Sequence, residues 1–342
     1  MSKSQALVEP LTPIPIGDAR LWNESMLVWW YDEAAGISGW QRIGQMPNND
    51  VAEIHSHVLT HEGTRFRRSA SVSYAQNAHR TDDSWRVEGL QFRFDDGAKL
   101  MSYQNDDCSA ELRFEDVHEP VHAAKVVAIS AAISAETAGL SRGDESEATI
   151  FESDLLYAGH VEAGCRVTGE VTVGGQRYAV NGLGFRDHSW GGIRDLSTTR
   201  SCRWVVGTNG TDLSFCLSFA ATQKGVAMRH GWIHRDGELL VAKNFDVSVS
   251  IDMDGLSWTS GKGWAELGDG QIIEFETEPT WDGSIIEQGP WMATVSPTMG
   301  TFDGRRVVID IQTANNPHGG EERALSALRA YVGQGLSRRP GS

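Results

Sequence analysis

The sequence predicts an all-β protein of two domains, each an antiparallel barrel, followed by one short C-terminal helix. Three observations carry this. Apolar and polar residues alternate with a period of two through much of the chain, the mark of strands with one buried face. Tight-turn pairs fall between these runs, at Gly174-Gly175, Asn209-Gly210, Asp236-Gly237 and Asp269-Gly270, so consecutive strands return as hairpins. At 342 residues with 37 glycines, the chain is long for one core and rich in turns, which favours two domains.

The first half reads as strands over 25–31, 51–60, 86–94 and 109–115, with a turn at Asp95, Asp96 and Gly97. Residues 138–147 are small and polar and read as a loop. From Val161 to Val173 every odd position is apolar or small and most even ones are polar. That is one long half-buried strand, and 176–185 returns after the Gly174-Gly175 turn. The same grammar pairs 202–208 with 212–220 and 228–234 with 238–242. Residues 245–251 alternate cleanly, and 266–275 fold about Asp269-Gly270. Sequential hairpins of this kind close into barrels. Leu325, Leu328 and Val332, at helical spacing, put the helix at 321–332. The expected domains are 1–185 and 186–335, with a frayed tail at 336–342.

A net charge of −16 argues against a nucleic-acid partner, because phosphate binding needs concentrated basic surface. The densest basic group, Arg65, Arg67 and Arg68 around Phe66, reads as a solvated strand or loop. The first residues carry no secretory signal pattern and no apolar run reaches membrane-spanning length, so a cytoplasmic protein without membrane insertion is expected. Cys108, Cys165, Cys202 and Cys216 are widely spaced within strand-like runs and read as reduced core residues. Phosphate-loop, dinucleotide and nucleophile-elbow motifs are missing from the sequence. No cofactor and no metal are therefore expected.

Chemistry-bearing residues concentrate at 182–195. Arg186, Asp187, His188, Arg194 and Asp195 supply two guanidinium groups, two carboxylates and an imidazole, with glycines on either side. In a straight strand Arg186, His188 and Trp190 share one face, and Asp187 and Ser189 the other. Two readings stay open. His188 or a buried carboxyl exchanges a proton with a substrate against a Trp190 wall, or the segment is a salt-bridged corner between domains, locked by Arg186 and Asp195. Elsewhere, His55 and His57 share a strand face with Glu53, and His61 follows. Without a distant complementary ligand cluster they read as a solvated strand face rather than zinc ligands. Glu24 stands just before an apolar strand, where it enters a pocket or caps it. His160 and Glu162 lie on the polar face of the long strand, lining a pocket or facing solvent.

Gly184-Phe185-Arg186-Asp187-His188-Ser189-Trp190-Gly191-Gly192-Ile193-Arg194-Asp195 resembles the signature of the AttH-like, carotenoid 1,2-hydratase superfamily, also called hydroxyneurosporene-synthase-like. Supporting matches are Trp22-Asn23-Glu24-Ser25, Gly39-Trp40-Gln41-Arg42-Ile43-Gly44 with Pro47-Asn48, and Gly231-Trp232-Ile233-His234-Arg235-Asp236-Gly237. Together they cover roughly residues 20–315. The chain departs from the carotenoid enzymes in carrying Ser189 where they more often have Asn, and in being shorter. The resemblance implies two lipocalin-like barrels side by side with a hydrophobic pocket in or between them. Some members add water to an isolated isoprenoid double bond, and related folds cyclise polyenes. It carries the activity-linked positions onto Asp187, His188, Trp190 and Gly191.

Hydrating an unactivated alkene needs a strong acid in a dry site, aromatic faces for a carbocation and a positioned water. Among 12 tryptophans, Trp22, Trp40, Trp204 and Trp232 are pocket candidates beside Trp29, Trp30 and Trp190. The leading expectation is a cofactor-free hydratase, dehydratase, isomerase or cyclase for a hydrophobic terpenoid or polyene. Asp187 would be proton donor and His188 its partner or water-orienting base. Trp190 would pack the substrate, and Arg186, Arg194 and Asp195 would hold the loop. The alternatives are a non-catalytic lipid or isoprenoid carrier, since barrels host both, and a carbohydrate-active enzyme using Asp187 and Asp195 as its carboxylate pair.

Overall fold

A computed structural model describes residues 9, 14, 16–95, 97–123, 125–126, 159–193, 199–222, 225–253, 255, 257–288, 291–315 and 334–338. The strands are β1 (Trp22–Asp32), β2 (Ile37–Met46), β3 (Val51–Thr60), β4 (Thr64–Ser73), β5 (Ala78–Arg80), β6 (Ser84–Val87), β7 (Leu90–Asp95), β8 (Ala98–Gln104), β9 (Cys108–Asp116), β10 (Val121–His122), β11 (His160–Val173) and β12 (Gln176–Ile193). They continue as β13 (Thr199–Thr208), β14 (Leu213–Thr222), β15 (Gly225–Arg235), β16 (Glu238–Ile251), β17 (Trp258–Leu267), β18 (Ile272–Thr277), β19 (Ser284–Gln288), β20 (Trp291–Val295), β21 (Thr298–Phe302), β22 (Arg305–Asn315) and β23 (Gly335–Arg338). The fold is all-β, as the alternation requires. Among the described residues no helix is long and apolar enough to cross a membrane.

Two compact units divide the chain. One comprises Val8–Pro120, Val161–Arg194 and Leu325–Ser342; the other comprises Met1–Leu7, Val121–His160 and Asp195–Ala324. The division differs from the contiguous one expected, because β12 runs unbroken through 185/186 and belongs whole to the first unit.

In the first unit the sheet order is β23-β4-β3-β2-β1-β12-β11-β9-β8-β7-β6-β5. Among the described residues no pairing joins β4 or β23 to β5, and the sheet forms a curled half-barrel. It curls around one core, in which Ile54 and Phe66 share a cluster with Trp85, Phe92 and Phe114. Close packing at the β1–β2 centre needs Gly39, where a Cβ would fall 2.6 Å from the Trp30 ring.

In the second unit β13 pairs with both β14 and β22. This closes the circuit β13-β14-β15-β16-β17-β18-β21-β22 into an eight-stranded barrel, with β20 and β19 added on β22. Val205, Phe215, Phe275, Phe302 and Ile311 fill it.

The Gly174-Gly175 and Asp236-Gly237 hairpins form with the positive φ values such turns need. Three details differ from expectation. Residues 86–94 make two strands, because Glu88 takes a left-handed conformation, φ 50°, in a turn. Residues 238–251 make one strand with a register shift at Ala242/Asn244 rather than two. The tail is not frayed throughout, since β23 pairs with β4 from Gly335↔Arg67 to Arg338↔Thr64. The helix expected at 321–332 and the loop at 138–147 lie outside the described residues. All four cysteines are free thiols.

Candidate functional site

Register decides which motif residues meet. Across β1 and β12, Glu24 pairs with Trp190, Met26 with His188 and Val28 with Arg186. Directly opposed residues of an antiparallel pair project to the same side. Met26 and Val28 belong to the unit's core, so Glu24, Arg186, His188 and Trp190 point inward with them. Asp187 and Ser189 point to the other side, where the Ser189 hydroxyl donates to Asp187 Oδ1 at 3.1 Å.

The inward residues build a buried charge cluster. Arg186 is fully buried and clamps two carboxylates. Its Nε and Nη2 donate to Asp116 at 2.6 Å each, and Nη1 and Nη2 donate to Glu9 at 2.9 and 2.8 Å. His188 lies between two acids, Nδ1 3.0 Å from Glu9 Oε1 and Nε2 3.3 Å from Glu24 Oε1. Glu24 Oε2 accepts from Arg80 at 2.7 Å, and Arg80 also donates to Gln45 Oε1 and to the Ile14 carbonyl. Lys99 Nζ completes the group, 3.7 Å from Glu9 Oε2.

The electrostatics follow from these contacts. Burial alone would lower the His188 pKa, but the hydrogen bonds to Glu24 and Glu9 outweigh it and the net shift is upward. A carboxylate can only accept, so an acid at each ring nitrogen calls for a proton on both, which is imidazolium. For Glu9 burial again works against the charge, yet Arg186, His188 and Lys99 hold its carboxyl well below the usual range. Burial lowers the Lys99 pKa, with help from Arg186. Aromatic rings wall the imidazole: Trp190 at 4.7 Å between centroids, Trp85 at 5.2 Å and Phe94 at 5.9 Å. Trp22 packs with Trp190, Ile14 and Val161, and Arg80 lies 5.9 Å over the Trp22 and Trp85 rings.

Of the residues singled out from sequence, Trp22, Glu24, Arg186, His188 and Trp190 therefore come together. Trp40 does not; it faces the other side, edge-on to His55 at 5.6 Å. Trp204 and Trp232 belong to the second unit, on β13 and β15. Arg194 and Asp195 lie outside the described residues. The sequence reading missed Glu9, Arg80, Lys99, Asp116, Trp85 and Phe94. A usable signal existed for Asp116, which continues the apolar series Cys108, Ala110, Leu112, Phe114 at period two.

His55 and His57 are not on a solvated face as expected, being 2% and 0% exposed. His55 Nδ1 and His57 Nε2 both meet Ser69 Oγ, at 3.0 and 2.8 Å. Burial, then Arg42, pushes His55 down to about 3. Burial, Arg67 and His55 push His57 well below its ordinary value. Glu53 pairs with Arg42 instead, and His61 meets the Tyr31 hydroxyl at 3.2 Å. On that side of the sheet, buried Glu162 and Asp187 bring carboxylate oxygens within 4.8 Å of each other, a spacing two cation ligands can have. The basic run on β4 is mixed: Arg67 is buried, and Arg68 forks onto Glu88. In the second unit, burial raises the Asp310 carboxyl to about 7. Its Oδ1 accepts from the Ser296 backbone at 2.8 Å, and Oδ2 is buried with no hydrogen-bond partner among the described residues.

Solved structures share this architecture. The chain is similar to an AttH from Nitrosomonas europaea, with 10% identity and a TM-score of 0.62 over 90% of this chain and 99% of that one. It is similar to kievitone hydratase from Nectria haematococca, with 10% identity and a TM-score of 0.55 over 87% and 90%. CghA bound to Sch210972 gives 10% and 0.53 over 91% and 96%. At such identities the likeness is one of fold, and that fold is AttH-like, as the motif at 184–195 implied. Residues 12–317 match the family described as a domain of unknown function, DUF7064, and the chain belongs to it. No curated protein matches the sequence.

Proposed function

We propose that the protein is a cofactor-independent enzyme for a hydrophobic, terpenoid- or polyene-like small molecule. It acts by proton transfer as a hydratase or dehydratase, isomerase or cyclase, with His188 as the proton donor. The observation that carries this reading is the buried imidazole of His188, with a carboxylate at each nitrogen and three aromatic rings around it. With Glu9 drawn off Nδ1 the imidazolium N–H there is free to give its proton to an alkene carbon, and the adjacent carbon becomes a cation facing the Trp190 and Trp85 rings. Water then adds to the cation and its surplus proton returns to the imidazole; the reverse sequence dehydrates an alcohol. Glu24 acts by keeping His188 charged. Kievitone hydratase, a hydratase by name, has a similar fold. Four free thiols suit a reducing compartment such as the cytoplasm.

The test is a panel of isoprenoid alkenes incubated in D2O, followed by mass spectrometry. The native protein incorporates deuterium into one class of alkene. His188→Gln, folded by circular dichroism, loses on the order of 100-fold or more in rate, the usual weight of a general acid. Full turnover by that variant contradicts the reading.

A second reading assigns the acid to Asp310, whose raised pKa and buried Oδ2, without a hydrogen bond among the described residues, are what a desolvated proton donor needs. Asp310→Asn in the same assay separates the two: loss there with His188→Gln unaffected selects Asp310.

A further inference from the structure

We infer that the first unit contains a binding site for a ligand carboxylate, made by Arg186, Lys99 and His188, and that the Glu9 side chain occupies it as a built-in stand-in. This goes beyond the proposed reaction and does not depend on it, because it concerns binding alone.

The argument begins with charge. The strand-borne members of the cluster are Arg80, Lys99, Arg186 and His188 against Glu24 and Asp116. With the imidazole protonated these give four positive charges against two negative, a net of +2 in a buried site. Such an excess is not held in a protein interior without a counter-anion. Glu9 supplies one. Its carboxylate takes two bonds from Arg186, one from His188 Nδ1 and the ion pair with Lys99. That is the fork geometry by which arginine recognises free carboxylates.

Glu9 also differs from its fellow acids in how it is held. Glu24 and Asp116 sit in β1 and β9, within hydrogen-bonded ladders. The Glu9 backbone belongs to no strand and lies 13 residues ahead of β1. Among the described residues, withdrawing Glu9 breaks no ladder, and it exposes two guanidinium nitrogens, an imidazole nitrogen and an ammonium converging on one point. Trp190, Trp85 and Phe94 border that point. The ligand class is therefore a carboxylate on an apolar or aromatic body.

The test replaces the stand-in. Glu9→Ala empties the carboxylate position, and Glu9→Gln fills it with a neutral amide. Each is melted in sodium acetate and in sodium chloride at equal ionic strength, with methylammonium chloride as the cationic control. Acetate should raise the Tm of Glu9→Ala by about 4 °C or more over chloride, with little effect on Glu9→Gln or the native chain. Methylammonium should do nothing. Equal responses of Glu9→Ala to acetate and chloride, or equal responses of Glu9→Ala and the native chain, overturn the site. Should Glu9→Ala fail to fold, refolding from urea with and without acetate decides the matter. Recovery of native circular dichroism with acetate alone supports the site, and no recovery overturns it.

Discussion

His188 lies on the inner face of the curled sheet, and His55 and His57 lie on its outer face; all three are almost wholly buried. Their charge states are nonetheless opposite. His188 is held as imidazolium by Glu9 and Glu24, with a pKa above the ordinary value. His55 and His57 share the hydroxyl of Ser69, have Arg42 and Arg67 for charged neighbours, and are held neutral. Burial works against the charge in every case, so the partner decides. One sheet thus carries an imidazolium on one face and a neutral imidazole pair on the other.

The largest break in this contrast comes from Arg186→Met. It strands Glu9 and Asp116 beside each other and costs about 3–5 kcal/mol, the usual penalty for halving a buried ion pair. Urea unfolding measures it.

The two faces also predict opposite limbs of the stability–pH curve. His55 has a folded pKa below its unfolded one, so between pH 6.5 and about 3 the unfolded chain binds more protons. Stability therefore falls as pH drops through that window. His55→Gln should flatten this acid limb by a few kcal/mol. His188 has a raised folded pKa; its contribution is full below the unfolded value and is lost as pH rises through the folded one. His188→Gln should flatten the alkaline limb and leave the acid one alone. Equal flattening of both limbs by either variant would break the contrast.

A smaller effect is expected from Ser69→Ala, which removes the shared hydroxyl and leaves two buried ring nitrogens without a partner. It should cost roughly 1–3 kcal/mol and leave the titration of His188 unchanged.

Much of this was legible in the sequence, and the omissions have physical reasons. Gly174-Gly175 and Asp236-Gly237 announce hairpins because only such pairs take the backbone there cheaply. Glu88-Gly89 announces its turn weakly, and 86–94 reads as one strand. Alternation put Arg186, His188 and Trp190 on one face and Asp187 on the other, as the register bears out. It also set the charged Glu24 in phase with Met26, Val28 and Trp30. Nothing in the sequence announces Glu9, whose role depends on where a non-strand residue is carried in space. Arg80 sits in a three-residue strand too short to show a period. The curl of the first sheet and the closed circuit of the second depend on pairings of distant strands, which local patterning does not encode.

The central claim is that His188 is an imidazolium held between two carboxylates. Two-dimensional 1H–15N spectra of the histidine rings at pH 6.5, where an exposed imidazole is half protonated, test it directly. The account predicts that His188 shows two protonated nitrogens and stays mostly charged there, that Glu24→Gln lowers its midpoint, and that His55 and His57 show neutral rings. A neutral His188 ring at that pH, with one bare nitrogen, would contradict it.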